Sequence, residues 1–265
     1  MRILIVGPNS YIARHFIDLT NRRFPDWTID TLSVRDDRWK AFDYSGYDSA
    51  LYFSAIVHKK ETPELHDDYR RINYHIPVEM ARLLSLQSPD AQFIYMSTMA
   101  VFGQEGRIGQ TVHIDRTTAL APKTAYGRTK LAAEEALTSG PLNLAIFRPP
   151  MVYGPDCPGN YGTLKKFVTT FHVFPTLRNQ RSMIHIDTLT GQLLDCVTQR
   201  RSGIFHPQEN DYICSADMAL DIARETGTGL WLCPLLNPLV RLGGLIHPAF
   251  HKVWGNLIYD KEIDQ

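Results

Sequence analysis

Tyr126 and Lys130 stand four residues apart, a spacing that places a phenol and an ammonium one turn apart on the same face of a helix. A phenol ordinarily titrates near pH 10, so bringing it to neutrality takes about three pH units, on the order of 4 kcal/mol. One cation at about 4 Å in an effective dielectric near 20 contributes about that much. Such a pair can exchange a proton with the oxygen of a carbon that alternates between alcohol and ketone. The spacing alone is common: 12 Tyr and 9 Lys in 265 residues give about 0.4 matches by chance. Two exist, Tyr126/Lys130 and Tyr161/Lys165. Tyr126 opens an Ala/Leu/Glu-rich helical stretch, whereas Tyr161 sits among prolines and glycines. A hydroxyl is expected from the end of the preceding strand, where Tyr95-Met96-Ser97-Thr98 supplies two, Thr98 being the better placed to hold a substrate oxygen.

The elements that must carry these groups alternate between short apolar strands and amphipathic helices, the pattern of a parallel sheet covered on both faces. Strands are expected at Arg2–Val6, Thr28–Val34, Ala50–Ser54, Gln92–Ser97 and Asn143–Phe147. Helices are expected at Tyr11–Asn21, at Glu64–Gln87 with a break near Pro77, and at Tyr126–Ser139. The link from Arg35 to Asp48 is short for a crossover with a full helix. After Arg148, prolines 149, 150, 155, 158 and 175 with Gly154, Gly159 and Gly162 predict irregular loops rather than more sheet. The expected class is α/β: a Rossmann-type doubly wound parallel sheet over 1–148, and a smaller C-terminal lobe over 149–265 that binds substrate and returns some segments to the core. The first strand runs into Gly7-Pro8-Asn9-Ser10-Tyr11-Ile12-Ala13 and a helix, where such a fold turns amides toward a pyrophosphate. Only Gly7 of a G-x-x-G-x-x-G spacing is present, with small Ser10 and Ala13 at the other two positions. After the second strand, Ser33 and Arg35 replace the acid that would take a bare ribose, and arginine pairs bidentately with phosphate. NADP is therefore expected over NAD.

Composition narrows the classes further. With 28 basic and 28 acidic residues, the charge balance points to neither nucleic acid nor an anionic membrane as partner. Cys157, Cys196, Cys214 and Cys233 form no CxxC pair, which fits a reducing cytoplasm better than a disulfide framework or zinc. The apolar stretch Leu230–Phe250 is interrupted by Pro234, Asn237, Pro238, Arg241 and Pro248 and is read as packing or interface surface rather than a membrane span. His58, His66, His75 and His113 lack ligand spacing, so no metal is expected. Ser97, His185 and Asp187 lack the Gly-x-Ser-x-Gly elbow of a hydrolase.

The order and spacing of several short motifs resemble the extended short-chain dehydrogenase/reductase family, in its NAD(P)-dependent nucleotide-sugar epimerase/dehydratase branch. They are Phe53-Ser54-Ala55, Asn73, Ser97-Thr98-Met-Ala-Val-Phe-Gly103, Tyr126-x-x-x-Lys130, Arg148-Pro149-Pro150-Met-Val-Tyr-Gly-Pro155 and Arg181-Ser-Met-Ile-His-Ile-Asp187. The resemblance implies Thr98, Tyr126 and Lys130 as catalytic residues. It implies a cofactor held by Gly7, Asn9, Ser10, Tyr11, Ile12, Ser33, Arg35, Ser54, Ala55, Asn73, Ser97, Tyr126, Lys130 and Pro149. Arg181 matches a residue that grips the diphosphate of a nucleoside-diphosphate sugar, Thr98 would hold the reacting oxygen, and the Gly159-Asn160-Tyr161 loop adds Asn160 as a candidate contact. Homodimerisation through the helices around Asn73–Leu86 and Tyr126–Leu137 is also implied. Sugar dehydratases of this branch carry Asp-Glu after the catalytic Thr. Met99-Ala100 stand there instead, and neither transfers a proton. The expectation is a 4-keto reductase or 4-epimerase of a nucleotide sugar for surface polysaccharide. A non-catalytic NAD(P)-binding sensor or scaffold and a reductase of a non-nucleotide alcohol stay open.

Overall fold

Ile3-Leu4-Ile5-Val6 is apolar on both faces and wholly buried, as a central parallel strand must be. In the computed structural model, which describes residues 1–57 and 62–264, this strand is β1 (Arg2–Val6). There follow α1 (Tyr11–Arg23), β2 (Thr28–Leu32), β3 (Ser49–Tyr52), α2 (Pro63–Arg70), α3 (Ile76–Gln87), β4 (Gln92–Met96), β5 (Thr111–Ile114), α4 (Ala125–Thr138) and β6 (Asn143–Phe147). The remainder is β7 (Met151–Tyr153), α5 (Asn160–Phe171), β8 (Val173–Pro175), β9 (Met183–His185), α6 (Ile186–Thr198) and β10 (Gly203–Phe205), then α7 (Ser215–Glu225), β11 (Trp231–Cys233), α8 (Asn237–Ile246), α9 (Ala249–Trp254) and β12 (Asn256–Tyr259). His58 lies outside the described residues. Between β2 and β3 only a single-turn 3-10 helix, Asp37–Ala41, takes the place of a crossover helix.

Contacts divide the chain into two units. The first comprises Met1–Gly103, Leu120–Pro149 and Ile186–Pro207 and holds a six-stranded parallel sheet in the order β2-β1-β3-β4-β6-β10. On one face Leu4, Val6, Ala50, Tyr52, Phe93, Tyr95 and Ile146 meet Ile76, Met80 and Leu84 of α3 and Ala133 and Leu137 of α4. On the other, Phe53 meets Phe16 of α1 at 6.0 Å between ring centroids. The strands end in register: Val6 aligns with Leu32 and Tyr52, Tyr52 with Tyr95, and Phe147 with Met96 and Phe205. The strand order reverses between β1 and β3, and open α/β sheets bind ligands beyond the carboxyl ends of their strands at such a switch point. Gly7, Ser33, Ser54, Ser97 and Pro149 all lie just past those ends.

Gly7 is irreplaceable there for two reasons. Its φ of +82° is in the left-handed region, and a Cβ would sit 2.3 Å from Ser54 Oγ and 2.8 Å from Ser54 N. Glycine is thus required by the close approach of the two strand ends at the switch point. Gly7→Ala is expected to cost at least about 2 kcal/mol of stability. Unfolding in urea measures this, and an unchanged midpoint would contradict the packing.

The break expected near Pro77 does not occur. Helix continues from α2 into α3 through a π-helical turn, Arg71–His75, in which the Ile76 N–H donates to the Arg71 carbonyl. Pro77 has no N–H to offer the Asn73 carbonyl. The Tyr95 hydroxyl donates there instead at 2.6 Å, and the Tyr52 hydroxyl donates to the Ile72 carbonyl, also at 2.6 Å. Two core tyrosines on neighbouring strands therefore satisfy the carbonyls that the π turn and the proline release.

The second unit comprises Gln104–Ala119, Pro150–His185 and the chain from Gln208 onward. It contains three two-stranded parallel ladders, β5 with β12, β7 with β9 and β8 with β11. The stretch after Arg148 contains short regular elements as well as loops, because most of these prolines and glycines fall at or between element ends, Gly162 alone of them lying within a helix, α5. Gly154 (φ +141°) follows β7, Gly159 (φ +79°) precedes α5, and Pro175 is the last residue of β8.

Candidate active site

The geometry around Tyr126 begins with Thr98, the first residue past β4 that turns out of the sheet. Thr98 caps a 3-10 turn, Met99–Phe102, its Oγ1 accepting from the Ala100 N–H at 3.2 Å. The Met99 N–H donates to the Pro149 carbonyl at 2.9 Å, tying this turn to the end of β6. Helix α4 is capped by Thr124, whose hydroxyl accepts from the Gly127 N–H at 3.0 Å. A Cβ on Gly127 would lie 2.8 Å from the Ala100 carbonyl oxygen, so glycine at this position lets α4 seat against the turn. Tyr126 is set beside Thr98 by that contact: burial pushes the phenol up to about 12, and the neighbouring Thr98 hydroxyl, which favours the ionised form, opposes the shift.

Lys130 has buried partners of its own. Its side chain is 1% exposed, Nζ donates to the Met96 carbonyl at 2.6 Å, and it lies 4.5 Å from the centre of the Tyr95 ring. Burial pushes the ammonium down to about 7, opposed by the negative charge of Glu134. Burial costs both Tyr126 and Lys130 their charged forms, and the ammonium takes a carbonyl and a ring in place of water, with the Glu134 carboxylate favouring its charged form.

That carboxylate belongs to a buried cluster. Glu134 lies one turn beyond Lys130 on α4 and pairs with Arg148, with Nη2 to Oε2 at 2.6 Å and Nε to the two oxygens at 3.2 and 3.1 Å. Both side chains are under 10% exposed. The Ser97 hydroxyl donates to Glu134 Oε1. Arg148 also stands over the Phe102 ring at 5.3 Å and 3.5 Å from His206 Nε2. Ser97 is thus bound to a carboxylate, neither a hydrolase nucleophile nor freely presented to a cofactor. A buried Glu eight residues after the tyrosine with an Arg at the next strand end is a signal the sequence carries, but nothing in composition marks the two as partners.

The Lys130 shift has a sign that stability measurements can read. Its folded value lies below its unfolded one, so the folded state binds fewer protons between about pH 7 and pH 10.5. Stability then rises with pH by up to about 1.4 kcal/mol per unit across that window, the cost of the buried charge being fully present below it. Lys130→Met is expected to abolish this slope. Identical slopes in wild type and variant by urea unfolding at pH 7, 8 and 9 would show that Lys130 is not so perturbed.

The carboxyl edge fits a dinucleotide. α1 begins beside Gly7 with Ser10 as its cap, Oγ accepting from the Ala13 N–H at 3.1 Å, and a helix N-terminus favours phosphate. Asn9 is exposed, Ser10 and Ile12 are partly exposed, and Tyr11 is buried. Ser54 is partly exposed and Ala55 exposed past β3. After β2, the Ser33 hydroxyl accepts from the Arg35 N–H at 3.2 Å and the Arg35 side chain is exposed. Asn73 is wholly buried: Oδ1 accepts from the Ile56 N–H at 2.9 Å, and Nδ2 donates to the Ile56 carbonyl at 3.2 Å and to Thr129 at 3.3 Å. In this arrangement Asn73 supports the loop after Ala55 from the π turn rather than presenting its amide to a ligand. Pro149 is buried, its carbonyl engaged by Met99.

The remaining candidates belong to the second unit. Tyr161 and Lys165 also lie on a helix, α5, so helical context does not separate the two Tyr-x-x-x-Lys pairs. Partners do. Tyr161 is buried and bonded to Glu225, burial pushing it up to about 12, with no strand-end hydroxyl on it. Asn160 is exposed at the start of α5. Arg181 donates from Nη1 to the carbonyls of Gly255 (2.9 Å) and His251 (3.4 Å), while its buried Nε has no acceptor among the described residues. Burial pushes the guanidinium down to about 10.

A parallel sheet with a strand-order switch, a glycine turn into a helix N-terminus, and a Thr–Tyr hydroxyl pair with a buried lysine one turn on define a Rossmann-type class of nicotinamide-dependent enzymes. A family model, the NAD dependent epimerase/dehydratase family, matches residues 3–194, and the chain belongs to that family. It is 24% identical over 260 residues to the UDP-glucose 4-epimerase of Vibrio cholerae, covering 88% of this chain and 78% of that protein. Its fold is similar to that of UDP-glucuronic acid 4-epimerase from Bacillus cereus in complex with NAD (TM-score 0.71, 15% identity, 87% and 84% of the two chains). It is also similar to that of dTDP-4-dehydrorhamnose reductase from Bacillus anthracis in complex with NADP (TM-score 0.67, 16% identity, 87% and 82%).

Proposed function

We propose that this protein is an NAD(P)-dependent oxidoreductase acting at C4 of a nucleoside-diphosphate sugar, and that it reduces a 4-keto group in preference to epimerising an alcohol. The Thr98–Tyr126 hydroxyl pair carries the reading. Bound nicotinamide supplies or accepts the hydride. With burial holding the phenol at about 12, Tyr126 rests protonated, loaded to donate to the alkoxide that forms as a ketone is reduced. Epimerisation begins with oxidation, for which Tyr126 must first be a phenolate. Thr98 holds the substrate oxygen beside the phenol. Met99 and Ala100 offer no second acid and base, so elimination of water is not part of the proposal. The buried Nε of Arg181, without an acceptor among the described residues, supports a diphosphate oxygen as its partner.

Exposed Arg35 behind Ser33 favours NADP, because a guanidinium suits a 2′-phosphate. The relatives act on UDP- and dTDP-sugars, and we extend that substrate class to this chain, with surface-polysaccharide precursors as product, the cytoplasm as location and a homodimer as assembly. The test is a panel of UDP-, dTDP- and GDP-linked 4-keto sugars with NADPH and NADH. Consumption of NADPH with one of them, and at least tenfold weaker NADPH binding in Arg35→Ala with NADH binding unchanged, is the expected result. Binding of both cofactors without turnover of any sugar would favour a sensor, and a preference for NADH would overturn the reading of Ser33 and Arg35.

A further inference from the structure

The stretch from Leu230 to Phe250, expected to be packing or interface surface, buries only one side. On α8, Val240 is buried, a Cβ on Gly243 would lie 2.5 Å from the Phe250 ring, and one on Gly244 would lie 2.8 Å from Ile108 Cδ1. These two glycines let α8 seat closely on its own unit and so fix which side faces out. Outward stand Leu239 at 61%, Leu242 at 55%, Leu245 at 85% and Ile246 at 76% exposure, with Leu235 at 80% in the turn just before. At about 100° per residue the four helical positions fall within an arc of about 120°, an apolar stripe without a partner among the described residues. Trp231, 64% exposed, and Phe171, 60% exposed, adjoin one another where the Trp231 N–H donates to the His172 carbonyl at 2.9 Å.

Charge decides what covers the stripe. From Thr226 to Tyr259 there is no Asp or Glu, while Arg241 and Lys252 are exposed. A second copy packed on the same stripe would bring Arg241 toward Arg241 with no carboxylate of the segment to pair it. An anionic bilayer offers the missing complement: acyl chains for the leucines, headgroups for the cations and an interfacial zone for tryptophan. Ten residues of α8 make a helix of about 15 Å, and no helix among the described residues is long and apolar enough to cross a membrane. We propose that α8 lies in the plane of an anionic membrane surface and docks the second unit there through Leu239, Leu242, Leu245 and Ile246, with Arg241 at the headgroups.

Flotation of the full chain with phosphatidylcholine vesicles, and with vesicles containing phosphatidylglycerol as well, tests this. The intact protein is expected to float with the anionic vesicles and not with the neutral ones. Leu239→Gln/Leu242→Gln, both at exposed positions, should lose more than tenfold in binding with an unchanged thermal melt, and Arg241→Gln roughly fivefold. No flotation with either vesicle overturns the proposal, as does equal binding to both. A concentration-dependent dimer in sedimentation that the double variant dissolves, without vesicle binding, assigns the stripe to a second copy instead.

Discussion

Tyr126→Phe is expected to lower turnover about 10³-fold, within the 10²–10⁴ range for removing a positioned general acid, while leaving cofactor affinity within about twofold. The variant deletes one hydroxyl, the one beside Thr98, and leaves the ring in its partly exposed seat in the first turn of α4. Stability should therefore change by no more than about 1 kcal/mol, separating loss of chemistry from loss of fold. The direction of reaction adds a sign. A phenol held near 12 stays protonated through pH 9, so this group imposes no fall on the rate of ketone reduction up to that pH. Oxidation, which needs the phenolate, should rise up to tenfold per pH unit over the same range. A variant that kept more than a tenth of wild-type turnover would remove Tyr126 from the proton path.

Glu134→Ala is expected to lower the unfolding free energy by about 3–5 kcal/mol, because it leaves the Arg148 guanidinium buried without its carboxylate. The Ser97 hydroxyl loses its acceptor in the same step, and Lys130 loses the one charge that opposes its desolvation. Lys130 should then deprotonate below its wild-type value, extending the pH-dependent slope in stability to lower pH. Glu134→Leu combined with Arg148→Met should recover much of the loss, since replacing a whole buried ion pair by apolar groups is often nearly neutral. Urea unfolding of the two single variants and the double variant measures the coupling. A cost under 1 kcal/mol for Glu134→Ala would mean that water reaches the pair.

The first half of the fold is legible from local pattern. β1, β6 and the start of α1 fall where the apolar runs and the turn after Gly7 place them, because buried parallel strands and the turns that follow them have short-range causes. Pro77 shows where local reasoning stops. A proline without its hydrogen bond argues for a break, and the helix survives only because Tyr52 and Tyr95, on strands 25 and 18 residues away from it, donate to the carbonyls of the π turn. The return of α6 and β10 to the first unit, and of Gln104–Ala119 to the second, likewise follows from contacts distant in sequence.

The Tyr126 site divides in the same way. Residue types and order alone determined which hydroxyls, lysine and glycine turn form the candidate site, since proton transfer and phosphate binding demand particular groups at strand ends and helix starts. Only the tertiary structure decided what those groups do there. It placed Tyr126 against Thr98, committed Ser97 to Glu134, turned Lys130 to the Met96 carbonyl, and buried Asn73 as a support. Those outcomes depend on which charges lose their water together, and desolvation is a property of the packed neighbourhood that no spacing along the chain records.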